Sequence, residues 1–202
     1  MADFNTDNKL FDYEKGFTID FNLLNGMSSL KDTSKRFLSG VKETFYDAAA
    51  AQADIEKNGD KLVYEFHEME VPDHAGDLAY GISIVYPGKV GDEYYMTKGH
   101  FHTILDTGEV YYCLSGHGYM MLENPEGDWS CLELLPGKMV YCPKRCAHRS
   151  INVSPSEPLR TFFTFRADAG HNYGTIEEKG YRNLLVDDNG SPKVIANPKW
   201  GK

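Results

Sequence analysis

From residue 61 onward the chain is written in short runs of β-branched and aromatic residues, each closed by a turn signal within about a dozen positions. The runs are KLVYEFHEMEV, AYGISIVYP, EYYMTKGHFH, EVYYCLSG, GYMMLE, WSCLEL, KMVYCP, RSINVS and LRTFFTFR. Between them stand VYPGKVGDE, LDTGE, NPEGD, LLPGK and VSPSEP, each carrying the Gly or Pro that tight turns need. Side chains alternate across a strand, so each run offers one face to a core. The pattern predicts a mainly β, antiparallel sandwich or barrel. In NLLVDDNGSPKVIAN, Asn189-Gly190 sits between two apolar pieces and predicts a C-terminal hairpin.

The first sixty residues have a different texture. VKETFYDAAAAQADIEKNGD, from residue 41, predicts a helix: its centre is alanine, Asp47 can cap the first turn, and Asn58-Gly59 supplies the stop. Residues 1–40 hold only short apolar pieces, FTIDF and FLSGV, among Gly, Asn and Ser, and predict an extended arm. We expect one domain overall, with 1–60 as arm and helix packed on the barrel or on a partner copy, and 61–202 as barrel plus C-terminal hairpin.

Composition narrows the partners. The 202 residues, 41% of them apolar, suffice for one sizeable core but not for two full domains. A formal net charge of -9 makes the average surface repel phosphate backbones and anionic head groups, which argues against nucleic acid and membrane. A small anionic ligand stays compatible, because a few donors and a metal ion can reverse the potential inside one cavity. No stretch approaches the ~20 apolar residues of a membrane span, and the start lacks a secretory pattern. The expectation is a cytoplasmic protein with Cys113, Cys131, Cys142 and Cys146 reduced, in which the Asn152-Val153-Ser154 glycosylation triplet has no consequence.

Candidate chemistry concentrates in KGHFHTILDTGEVYYCLSGHGY, residues 98–119. On a strand His100 and His102 point to one side, and a hairpin through TILDTG would bring Glu109 back beside them. His148, just before the strand RSINVS, is the candidate fourth ligand from a neighbouring strand of a closed barrel. Three imidazoles and a carboxylate suit a divalent first-row metal, Fe, Mn, Zn, Ni or Co, with positions left for water or substrate. Tyr111 and Cys113 share the inward face of Glu109, Tyr111 as a candidate substrate contact and Cys113 as packing, while Tyr112 and Leu114 face out. A separate zinc site on Cys142, Cys146 and His148 would need a second ligand pair that the chain does not supply nearby. His67, His74, His117, Lys98 and the charges of IEEKGYR are expected at the surface.

GHFH followed by Glu109, then GHGY, PGKMVYCP and AHRSIN resembles the paired motifs of the cupin superfamily. TKGHFH, the ENPEGD turn, PGKMVYCP, AHRSIN and above all ADAGHNYGTIEEKGY are similar to the cupin-type glucose-6-phosphate isomerases, from about residue 60 to NPKW. The resemblance implies a small jelly-roll-like antiparallel barrel with one divalent metal ion per chain, Fe first among the candidates. It implies an aldose–ketose isomerase acting on glucose 6-phosphate and fructose 6-phosphate. His100, His102, Glu109 and His148 match the metal ligands, and Ser83, Thr97, Gly99, His171 and Tyr173 match the phosphate site. One departure stands out: TFFTFRADAGH has Phe165 and Arg166 where the family has tyrosine then proline, and Arg166 could replace the lost phosphate contact by a charge-assisted pair.

Moving hydrogen between C1 and C2 of an open-chain sugar requires stabilising negative charge on O1 and O2, which a divalent ion does as a Lewis acid. Proton transfer with Glu109 or Tyr111 as base and a metal-assisted hydride shift both remain open. The alternatives are another cupin activity, such as an oxygenase or a different sugar-phosphate isomerase, and a non-catalytic metal-containing binding module. Pairing of sheet edges through the N-terminal arm suggests a homodimer.

Overall fold

A computed structural model describes residues 11–22, 33–69 and 71–200. Residues 1–10 and 23–32 of the expected arm, and any exchange they make, lie outside the described residues. The strands are β1 (Ser34–Phe37), β2 (Leu62–Glu68), β3 (Leu78–Val85), β4 (Lys89–Val90), β5 (Glu93–Tyr94), β6 (Phe101–His102), β7 (Glu109–Ser115) and β8 (Gly118–Glu123). They continue with β9 (Trp129–Leu134), β10 (Met139–Cys142), β11 (Ala147–Asn152), β12 (Leu159–Arg166), β13 (His171–Asn172), β14 (Asn183–Asp188) and β15 (Ser191–Ala196). The α-helices are α1 (Leu38–Val41), α2 (Ala48–Asn58) and α3 (Gly174–Lys179). The fold is mainly β and its strand pairs run antiparallel, as the alternation predicts.

One six-stranded sheet, ordered β1-β2-β3-β12-β7-β10, forms the wall on which the site is built. A three-stranded sheet β11-β8-β9, a two-stranded ribbon β13-β6 and a four-stranded sheet β15-β14-β5-β4 complete the structure. Along β12 the residues Leu159, Thr161, Phe163 and Phe165 are buried while the intervening ones are partly exposed. Register carries that inner face across the sheet: Phe163 lies opposite Tyr111 and Gly81, and Phe165 opposite Glu109 and Ala79. Ser83 pairs with Thr161 on one side and Phe66 on the other. Gly81 makes room for this row, since a Cβ there would collide with the His67 carbonyl and lie 2.7 Å from the ring of Phe163. Burying Phe163 and Phe165 contributes about 1.5–3 kcal/mol each.

The predicted helix is shorter than 41–60. Asp47 accepts a hydrogen bond from the Ala50 N–H at 2.9 Å and so caps α2. A capping residue has non-helical angles, so the helix cannot run back through it. Gly59, at φ 81°, ends it as expected. Upstream, residues 42–44 form a 3₁₀ turn that seats Phe45 in the core.

Part of the arm joins the sheet, with β1 pairing to β2. Residues 11–22 reach the sheet's outer face, where Phe21 packs against Phe162 at 6.1 Å and His67 at 5.9 Å. His67 is therefore buried at 2% exposure, not a surface residue: its cover comes from a segment distant in sequence. His74 is exposed as expected, and His117 is partly exposed, its Nε2 3.1 Å from Glu133 Oε1. Asn152 is fully buried at the end of β11, its amide donating to the Val85 and Glu157 carbonyls and accepting from the Ser154 N–H, so the acceptor residue of the glycosylation triplet is interior. The tail hairpin forms, with Asn189 and Gly190 both at positive φ between β14 and β15.

Candidate active site

EYYMTKGHFH is not one strand. Only its ends, β5 and β6, are extended, and the intervening segment is tied to β11 by bridges at Met96–Ile151 and His100–His148. Between these bridges Thr97, Lys98 and Gly99 carry one residue more than the facing stretch of β11 and so form a bulge. Thr97 donates its N–H to the Ser150 carbonyl at 2.9 Å and accepts the Ser150 N–H on Oγ1 at 3.0 Å. Gly99 adopts φ 77°, and a Cβ there would sit 2.5 Å from the Tyr181 hydroxyl and 2.9 Å from the His148 carbonyl. Glycine is what that left-handed, crowded position accepts.

Nor does a hairpin return Glu109 to the histidines. Thr103 and Ile104 donate to the Gly170 and Ala169 carbonyls, so β6 pairs with β13, while β7 lies between β12 and β10. The four residues meet nonetheless, from β6, β7, β11 and the bridge at His100. One ligand atom from each of His100, His102, Glu109 and His148 lies within 4.8 Å of the others. His148 sits inside β11 rather than before it. No such group includes Cys142 or Cys146 among the described residues, and both thiols are pushed up, chiefly by burial.

The orientation of these groups fits a metal ion. His102 Nδ1 lies 3.3 Å from the Gly170 carbonyl and His148 Nδ1 lies 3.4 Å from that of Cys146. A carbonyl can only accept, so each Nδ1 carries the proton and each Nε2 turns a bare lone pair inward. Both reach Glu109 Oε2, at 3.1 and 2.9 Å, but without hydrogen-bond alignment: the three Nε2 atoms and Oε2 are all buried and lack a hydrogen-bond partner. Four buried donors aimed at one point are costly unless something cationic satisfies them. With no cation present, burial opposes charge on Glu109 and His148 alike, and only protonated Nε2 groups would draw the Glu109 carboxyl well below its usual range and raise His148; a metal ion takes the place of those protons. His100 is held well below the usual imidazole range by burial and by its neighbouring imidazoles.

Above this floor opens a pocket of ≈ 530 Å³ of empty space, the open solvent of its mouth included. Its lining includes Ser83, Thr97, Gly99, His100, Glu109, Tyr111, His148, His171 and Tyr173. His102 lies behind it. Tyr111, pushed well up by burial and by Glu109, keeps its proton. His171 meets His100 edge to face, ring centres 4.3 Å apart, and burial pushes its imidazole down. Cys113 packs fully buried while Tyr112 faces out, as the alternation of β7 predicts.

Tyr64, Phe66, Glu68 and Phe163 also line the pocket and escape the sequence reading, although alternation along β2 puts Tyr64, Phe66 and Glu68 on one face. Phe165 lines it too, 5.2 Å from His102, but Arg166 does not: its guanidinium forks onto the Asp168 carboxylate. Arg166 therefore does not supply the missing contact. Lys98 lines the pocket rather than facing solvent, because the Gly99 bulge breaks strand alternation. Arg182 is also no solvated charge, since it binds Glu123, the Asn124 and Pro125 carbonyls and the Trp200 ring. Among the described residues no helix is long and apolar enough to cross a membrane.

Comparison with known proteins bears on this arrangement. The model of the family described as Glucose-6-phosphate isomerase (GPI) matches residues 35–200. Over 190 residues the chain is 41% identical to the glucose-6-phosphate isomerase of Pyrococcus furiosus, covering 94% of this chain and 100% of that one. Its identity to the Thermococcus litoralis enzyme of the same name is 42% over 188 residues, covering 93% and 98%. A solved oxalate oxidase with glycolate aligns at a TM-score of 0.47 and 11% identity over 56% of each chain, a likeness too partial to bear on function. Matched along nearly its whole length, from β1 to the C-terminal hairpin, the chain belongs to the glucose-6-phosphate isomerase family.

Proposed function

We propose that this chain is a metal-dependent aldose–ketose isomerase interconverting glucose 6-phosphate and fructose 6-phosphate, working as a cytoplasmic homodimer with one divalent ion per chain. The observation that carries the reading is the convergence of four buried ligand atoms within 4.8 Å, beneath a pocket lined by Ser83, Thr97, Gly99, His171 and Tyr173. His100, His102, Glu109 and His148 hold the ion, iron first and Mn, Zn, Ni or Co as alternatives. Such an ion supplies a Lewis acid for negative charge developing on O1 and O2.

The chain's own groups do the rest. Ser83 and Thr97 offer hydroxyls, Gly99 its backbone N–H, and His171 and Tyr173 polar edges to the phosphate, which anchors the sugar far from the reacting carbons. Tyr111 holds a proton at its hydroxyl beside Glu109, ready to donate a hydrogen bond to a sugar oxygen. Phe163 and Phe165 keep water from the reacting end. Residues 1–60 serve as arm and helix for the barrel of residues 61–202, and a second copy completes the exposed sheet edges.

The test is an NADP-coupled isomerase assay on fructose 6-phosphate, before and after chelation and with each metal restored. The expected outcome is turnover that chelation abolishes and one or more first-row ions return. Absence of turnover with every metal would replace the enzyme by a metal-containing binding module.

A further inference from the structure

The pocket takes a ligand carrying a phosphate dianion, yet the residues assigned to that phosphate are hydroxyls, an amide and neutral rings, and Glu68 adds negative charge to the lining. The ion at the floor is already shared with Glu109 and faces the reacting carbons, so a dianion held at the rim gains from a second cation close to it. Among the described lining residues Lys98 is the lysine or arginine present. Its main chain is fixed from behind: Arg149, buried at 2% exposure, donates from Nη2 to the Lys98 carbonyl at 2.6 Å. Its side chain lies in front, with Nζ 4.9 Å over the ring of Tyr173 and ion-paired with Glu177 on α3. Glu177 is 52% exposed and Lys98 28%, so water can replace the carboxylate at little cost.

We propose that Lys98 is the phosphate's counter-ion and that Glu177 is an exchangeable placeholder, holding the ammonium over Tyr173 until the sugar phosphate displaces it. The proposal rests on the isomerase reading above and adds the residue that selects for a charged substrate. It has a signed consequence. Removing the cation weakens phosphate binding, whereas removing the competing carboxylate tightens it. A Lys98–Glu177 pair that only braced α3 against the bulge would make both changes weaken binding.

The experiment compares Lys98→Met, Lys98→Arg and Glu177→Gln in the metal-loaded full chain. Calorimetric titration with inorganic phosphate reads binding without turnover, and KM for fructose 6-phosphate is read alongside. Lys98→Met is expected to raise the phosphate dissociation constant and KM about 10- to 100-fold, the range for one lost hydrogen bond between charged groups. The loss falls on KM more than on kcat and shrinks as salt rises, and Lys98→Arg restores most of it. Glu177→Gln is expected to lower both constants about 2- to 5-fold, the worth of an exposed ion pair. Both substitutions weakening phosphate, or Lys98→Met leaving it unchanged, would overturn the assignment. Absence of turnover in the parent protein would overturn the isomerase reading instead, and the titration would still decide Lys98.

Discussion

The floor and the rim of the pocket are held by different physics. Three of the four floor residues, His102, Glu109 and His148, are at most 3% exposed and sit on strands whose register fixes them, while His100 is held by a single bridge to His148. The rim, the 97–99 bulge and the segment from His171 to Lys179, is held by half-exposed ion pairs, one stacked ring and a two-residue ribbon. A floor of that kind fixes donor geometry before anything binds, which is what a metal site requires. A rim of that kind can exchange partners at little cost, which is what a substrate that must leave requires.

Three substitutions bear on this contrast, beginning with the largest effect. Glu109→Gln strikes the floor: kcat is expected to fall by about 10² or more, and elemental analysis after dialysis is expected to show less bound metal. A variant keeping both ion and turnover would erase the distinction. Gly99→Ala strikes the junction of rim and floor, because its Cβ meets the Tyr181 hydroxyl and the His148 carbonyl at φ 77°. Strain of this kind costs about 1–3 kcal/mol, lowering Tm on the order of 5 °C, and KM is expected to rise more than metal affinity falls. Calorimetry and steady-state kinetics together read the split.

The smallest effect lies behind both regions. Burial pushes the Glu93 carboxyl up to about 7, against the Tyr46 N–H and Arg149, which favour its charged form. Asp92 and Lys199 also act on it, with opposite signs. Because the folded value lies above the unfolded one, folding takes up a proton there, and the associated stability is lost as pH rises from about 4.5 through about 7. Glu93→Gln cannot titrate, so its Tm is expected to fall less across that window, by a few degrees. Parallel Tm–pH curves for parent and variant would show that Arg149 keeps Glu93 ionised throughout.

The floor was legible in the sequence and much of the rim was not. Alternation along β7 gives Glu109, Tyr111 and Cys113 inward and Tyr112 outward because a strand's period is local. The same rule fails at Lys98, where Gly99 takes a positive φ and the backbone turns over. The surface expectation for His67 fails for another reason: Phe21, 46 positions earlier, supplies the cover. Glu177 is a solvated charge as expected, whereas Arg182 looks like one until its partner Glu123, 59 residues away, is brought up by the fold. Glu109 joins the histidines by closure of separate sheets rather than by the short hairpin that spacing suggests.

The buried side chain of Asn152 constrains how the protein can be made. Its amide nitrogen is committed to two carbonyls in a space without solvent, whereas an oligosaccharyltransferase acts on nascent, unfolded chain. Production through a eukaryotic secretory route would let a sugar tree be attached to that nitrogen before β11 closes, and a chain so decorated could not assemble its core.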